Sequence, residues 1–335
     1  MSQTAPVPAS RTRYLVVLWL CALACILYLD RVCMGQAVDP IQKEFKLTNT
    51  QISYILMAFT VAYGFFEIPT GWLGDRIGAR RVLTRIVLWW SFFTALTGGC
   101  SSLWMFIVVR FLFGAGEAGA YPNVARILSR WIPTHERGRV QGVMLMAAQL
   151  GAVAAPTVAG ALIKLVGWRG AFMLFGLVGI VWAVGFWLWF RDAPTQHPRV
   201  NQSERDYIQQ GTQGYANQSH AEPIPWLLVF RNPGIWLLGL VITCSSFNSY
   251  LYYSWFSKYL SAAHELTNQT SGLLTSLVLT GSALGVLSGG VVADILLRTR
   301  NVDRSRRLFG ACAYLIASGC LVWGITCEKP IYLAI

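Results

Sequence analysis

GWLGDRIGARR, Gly71 to Arg81, is a glycine-rich, basic stretch set between two apolar ones. The runs on either side, 50–71 and 82–101, each have about the 20 residues that a helix needs to cross ~30 Å of hydrocarbon. The stretch therefore reads as a tight turn joining two membrane-crossing helices. Gly71 and Gly78 let such a turn pass close to a neighbouring helix. Asp75 can face a helix N-terminus, where an anion is favoured. Arg76, Arg80 and Arg81 can meet carbonyl ends or lipid phosphates.

The rest of the chain has the same character. Its 335 residues are 55% hydrophobic and 13% charged, with a mean hydropathy of +0.48. A soluble domain carries about 25% charged residues, and no water-soluble globule of this size could hide so much apolar surface. The class is an all-α integral membrane protein. Nine apolar runs stand out, at 14–36, 50–71, 82–101, 103–125, 139–163, 169–190, 232–256, 270–296 and 308–327. A tenth begins at Ile331, and the sequence stops at Ile335. A chain ending a few residues into a span is expected to be a fragment or the product of a shortened reading frame. The 14 tryptophans suit side chains that anchor at the membrane interface.

Orientation follows from the basic residues. With the N-terminus placed inside, 19 of the 27 Lys and Arg residues fall on the inner side and six on the outer; Arg31 and Arg110 lie within spans. This bias is the positive-inside pattern, and it accounts for the net charge of +12. The expected location is a cell membrane, bacterial and inner, crossed many times with the N-terminus cytoplasmic. No nucleic-acid partner is needed to explain the charge. The first run is read as a retained span, because Asp30 and Arg31 stand where a leader's small-residue cleavage site would be. The eight cysteines form no CxxC pair, so no disulfide, metal site or cofactor is expected. HExxH, GxSxG and P-loop motifs are absent from the sequence, and all four histidines fall in loops, which argues against an enzyme.

The organisation reads as two bundles and a linker: six helices in 1–190, a polar cytoplasmic linker over 191–231, and further spans in 232–335. Within the linker, 203–210 could form a short surface helix. Internal duplication is testable. GGVVADILLRTR, Gly289 to Arg300, occupies the place in the second half that GWLGDRIGARR has in the first, with Asp294 matching Asp75 and no counterpart to Gly78.

GWLGDRIGARR resembles the G-x-x-x-D-R-x-G-x-R-R loop that joins helices 2 and 3 in the major facilitator superfamily. RFLFGAGEAGAYPN, Arg110 to Asn123, resembles the helix 4 signature of that superfamily's anion:cation symporter branch; YLDR at 28–31 and WRGAF at 168–172 are similar to the same branch. The resemblance runs the whole chain in order. It implies a fold of two pseudo-symmetric six-helix bundles, of which about nine or ten spans are present. It also implies coupled uptake of organic anions such as hexonates, hexuronates or glucarate. Helices 11 and 12 and most of helix 10 have no equivalent in this sequence.

Ionisable groups within the bilayer cost several kcal/mol, about 3 on insertion scales, and mark functional sites. Arg110 and Glu117 share a face of helix 4 but sit about 10 Å apart along it, so each needs a partner elsewhere; helix 1 offers Asp30 and Arg31. Arg31 is the candidate contact for a substrate carboxylate, because a guanidinium binds carboxylate in a fork and keeps its charge. Glu117 is the candidate proton carrier, and Asp30 with Arg110 is expected to form a cross-helix pair that responds to protonation. In the family, matching positions carry proton coupling and anion binding. Tyr28, Tyr63, Gln149, Asn248 and Tyr252 are candidates for hydroxyl recognition. Gly151, Pro156 and Gly160 read as a hinge and close-packing pattern in helix 5. The partners expected are a small organic anion, a proton and the lipid bilayer, with the protein a monomer moving by alternating access. Two alternatives stand beside symport: an antiporter of the same fold for another anion, and a truncated membrane protein that does not transport.

Overall fold

The computed structural model describes residues 8–216, 226–264, 266–296 and 302–325. Among them there are nine long helical rods and no strand. The first four are α1 (Thr12–Phe45), α2 (Asn49–Ile77), α3 (Ala79–Thr97), and α4 (Leu103–Glu117) continued by α5 (Ala120–Trp131). Next comes α6 (Thr134–Trp189), whose 56 residues make two rods. Gly167, at φ 73° and ψ 166°, turns the chain between them, a conformation that glycine adopts without a Cβ penalty. A linker carries α7 (Gln202–Ala216) and α8 (Trp226–Arg231). The second half holds α9 (Pro233–Tyr250), continued through one π-helical turn at Leu251–Trp255 into α10 (Phe256–His264), then α11 (Asn268–Leu296) and α12 (Val302–Ile325). Helices satisfy their own backbone groups, as a chain in hydrocarbon must. Among the described residues, five stretches are apolar and long enough to cross a membrane, including Thr12–Phe45, Leu103–Trp131 and Pro233–Ala263.

The glycine-rich turn behaves as its sequence suggests, with one exchange of partner. Gly78 sits at φ 91° between α2 and α3, a region closed to most side chains. The N-terminus of α3 is capped by Asp192, whose Oδ1 accepts from the Arg80 backbone N–H at 2.8 Å. Arg80 also lies 4.3 Å over the Trp187 ring, and Arg76 stacks at 4.0 Å on Trp72. Gly71 and Gly74 let α2 press against Pro122 and Asn123 of α5, so the turn meets the end of the RFLFGAGEAGAYPN stretch. The side chains of Asp75 and Asp294, the arginines at 298 and 300, and the chain from Ile331 onward lie outside the described residues.

The expected bend at Gly151, Pro156 and Gly160 takes another form. The backbone of α6 stays helical through all three, and its only non-helical residue is Gly167. The positions instead permit close packing. A Cβ at Gly151 would stand 2.7 Å from the Cys25 backbone of α1, and the Pro156 carbonyl faces Gly272 of α11. Gly160 is buried.

The linker helix α7 is longer than the sequence suggested and is docked. Glu204, fully buried, accepts from the backbone N–H groups of Thr12 and Arg13 at 3.2 and 3.1 Å and from Arg13 Nη1 at 3.1 Å. It thereby caps α1 from outside the helix, where a carboxylate also suits the helix dipole. Tyr207 donates to Glu136 at the start of α6 at 2.8 Å. His197, one of the four loop histidines, is buried against the Trp131 and Trp189 rings. Its Nδ1 accepts from the Arg199 N–H at 3.2 Å. Burial, with Arg191 and Arg199 nearby, holds its pKa below the usual histidine value.

Gly151→Ala would force the added methyl into backbone that cannot rotate away. We expect a loss of about 1–3 kcal/mol in thermal unfolding of the detergent-solubilised protein. Gly142→Ala, where nothing lies within 4 Å, serves as the comparison and should not destabilise it.

Candidate functional site

The two halves enclose a cavity of about 230 Å³. Helix α1 supplies Tyr28 and Arg31, α2 supplies Phe59, α4 supplies Arg110, and the second half supplies a row of serines and tyrosines. Both guanidiniums line the space, whereas Asp30 and Glu117 lie behind them, each 1% exposed. The cavity wall is therefore cationic, with carboxylates in reserve behind it.

Arg31 Nε bonds Glu117 Oε1 in a short ion pair. Three rings hold the guanidinium in place: Tyr63 at 4.7 Å, Phe59 at 5.6 Å and Tyr28 at 5.8 Å. Such stacking favours arginine over lysine, since the planar guanidinium suits a ring face. Glu117 is the last residue of α4, and the helix is interrupted just after it, at Ala118 and Gly119.

The expected direct pair of Asp30 with Arg110 is not formed. Among the described residues, no ion pair within 4.0 Å joins them. Arg110 packs over the rings of Phe113 and Phe172 at 5.1 and 5.2 Å, which hold it to one side. It interacts with Asp30 only electrostatically; Glu117 and the Trp90 indole are Asp30's other polar neighbours. The strong cross-helix pair is Arg31 with Glu117, and this joins the anion-binding candidate directly to the proton-carrying one.

Hydrogen-bonding capacity is left over here. Both Asp30 oxygens, Arg31 Nη2, Glu117 Oε2, and Arg110 Nε and Nη2 are buried with no protein partner. Buried polar atoms are nearly always paired, and six unpaired ones in a single cluster make this the candidate site.

The neutral candidates divide. Tyr28 lines the cavity and Tyr63 sits beneath Arg31. Gln149 is outside the cavity, reaching Ser282 at 3.5 Å. Asn248 is exposed, and Tyr252 turns away to pack at a tilt against Phe256, with ring centroids 5.3 Å apart. The lining from this helix comes instead from Ser245, Ser246, Ser249, Tyr250, Tyr253 and Ser254. Ser246, Ser249, Tyr250 and Tyr253 follow the i, i+3, i+4, i+7 spacing of one helix face, a signal present in the sequence. The π turn then widens the helix at Tyr253 and Ser254, as such turns often do at functional sites.

Past the cavity, the halves are joined at the end that carries the α1–α2 loop. Lys258, 9% exposed, donates to Gln42 Oε1 and, at 2.6 Å, to Asn49 Oδ1. Ser257 donates to Gln36 Oε1 at 3.1 Å, and Lys164 to Gln269 Oε1 at 3.2 Å.

Arg31→Gln should leave Glu117 as a buried carboxylate without its cation and cost about 3–5 kcal/mol. Adding Glu117→Gln should recover most of that loss. Unfolding of the two single variants and the double one, compared as a thermodynamic cycle, measures this coupling.

Comparison with known proteins bears on the whole chain. The Major Facilitator Superfamily profile matches residues 20–335. The probable sulfoacetate transporter SauU of Cupriavidus necator is 32% identical over 314 residues, 93% of this chain and 72% of that protein. The probable L-galactonate transporter of Escherichia coli strain K12 is 29% identical over 326 residues, 97% of this chain and 69% of that one. A solved bacterial homologue of the human lysosomal transporter Spinster, inward-facing and unoccupied, superposes with a TM-score of 0.70 at 21% identity. That match covers 86% of this chain and 64% of the other, so the chain spans about two thirds of the length of the proteins it matches. Helical rods in two halves around a buried charge cluster, and a profile match reaching to Ile335, have one reading: this multi-pass membrane protein belongs to the Major Facilitator Superfamily.

Proposed function

We propose that the protein is a secondary transporter that takes up an organic anion, of the sugar-acid class, together with a proton. The observation that carries this reading is the pairing of Arg31 with Glu117 at the wall of a cavity rich in hydroxyls. The names of its relatives, transporters for sulfoacetate and L-galactonate among them, support an anionic substrate. A substrate carboxylate and Glu117 compete for the same guanidinium. Protonating Glu117 releases Arg31, which then binds the carboxylate in its fork. Serine and tyrosine hydroxyls of the second half hold the substrate's own hydroxyls.

In this mechanism Arg110 balances Asp30 while the proton and the anion enter together. The charge they bring to the cavity cancels, which lets the halves rock about it. The contacts from Lys258, Ser257 and Lys164 to the other half support a conformation closed at the α1–α2 end. The nineteen-to-six distribution of basic residues supports placing that end outside and the N-terminus in the cytoplasm. The protein works as a monomer, because each chain supplies both walls of its own cavity.

Glu117→Gln mimics the protonated carboxyl. In proteoliposomes it should abolish uptake of a sugar acid driven by a pH gradient, while exchange of labelled for unlabelled substrate continues. Driven uptake that survives the change would remove Glu117 as the proton carrier.

A further inference from the structure

A second cavity, of about 370 Å³, opens on the outer surface of the bundle between the start of α3 and the end of α6. Its lining is Arg81, Thr84, Arg85, Leu88, Val184 and Trp187. Arg81 and Arg85 are one helical turn apart, so their side chains share a face. Both are exposed, and neither has a hydrogen-bond or ion-pair partner among the described residues. Between them Thr84 is 6% exposed, and its Oγ1 is buried without a partner. A helical threonine can return its hydroxyl to the carbonyl four residues back, as Thr94 and Thr97 do further along α3. Thr84 does not.

Charge in this corner is lopsided. Arg81 and Arg191 gather around Arg80, and Asp192, the carboxylate beside them among the described residues, is spent on capping α3. The walls change character along the groove. Trp187, 39% exposed, lies at the basic end, where an indole marks the interfacial level of a bilayer. Leu88 and Val184, also exposed, continue toward the hydrocarbon.

We propose that this groove binds an anionic phospholipid, with the phosphate held by Arg81, Arg85 and the Thr84 hydroxyl and one acyl chain lying along Leu88 and Val184. A basic pocket between helices at headgroup depth is suited to such lipids. The apolar continuation of the groove selects a lipid over a free phosphate. The site lies outside the central cavity and does not depend on what that cavity carries.

The test is native mass spectrometry of the detergent-solubilised full chain, titrated with dioleoyl phosphatidylglycerol or dioleoyl phosphatidylcholine. The wild type should retain the anionic lipid preferentially. Arg81→Gln with Arg85→Gln should weaken retention roughly 30-fold, about 2 kcal/mol for two arginines. Thr84→Val should weaken it roughly five-fold, the worth of one hydrogen bond. Arg139→Gln with Arg199→Gln removes the same charge elsewhere and should leave retention unchanged. Equal losses in both double variants would mean diffuse attraction and overturn the site. No loss in Thr84→Val would overturn the assignment of the hydroxyl. Displacement of the lipid by millimolar inorganic phosphate would show a soluble-anion site and overturn the lipid as its occupant.

Discussion

A charge taken out of water is tolerated only beside its opposite, and this rule organises the centre of the protein. Arg31 and Glu117 come from helices far apart in sequence and meet where neither could stand alone. Their pairing fixes the rotation of α1 against α4. The rings of Tyr63, Phe59 and Tyr28 then fill the space around the guanidinium. Asp30, next to Arg31 on the same helix, must point elsewhere, and it points toward Arg110 and Trp90. The four charges are thus one connected arrangement, and a ligand that binds to any of them is felt by the others.

Small residues let that arrangement close. Gly114 faces the Phe59 backbone, Gly151 the Cys25 backbone and Gly35 the Tyr253 carbonyl, each at a distance that no side chain would permit. In a bilayer, helices gain little from the hydrophobic effect when they associate, so close backbone approach and polar contacts do the work. This explains why glycines cluster on the same helices that carry the charges. It also explains why the two halves meet through glycines and hydroxyls, as where Thr157 meets Ser276 at 2.8 Å.

Much of this was legible in the sequence because it rests on length, charge and spacing. The helical rods follow from the apolar runs, and the four charges stand out from their surroundings. What was not legible is which partner each charge chooses, since that depends on helix rotation and on which rings crowd it: Phe113 and Phe172 hold Arg110 aside, and no periodicity reveals that. Asn248 and Tyr252 are candidates by residue type alone. The helix face, set by Ser246, Ser249, Tyr250 and Tyr253, decides otherwise. Asp192 was passed over as part of a polar linker, though it caps α3 from more than a hundred residues away. His197 falls in a loop by sequence, yet two tryptophan rings and a tight turn enclose it.

The docking of α7 has a consequence for how far the molecule can move. By sequence, some forty residues separate the halves, enough slack for almost any displacement. Glu204 and Tyr207 fasten the helix that ends at Ala216 to the first half, and the linker's second helix, α8, begins at Trp226. Ten peptide units join Ala216 to Trp226, and a chain of that length spans about 35 Å at most. Moving α8 beyond that reach from the first half would first have to pull a buried carboxylate off the N-terminus of α1.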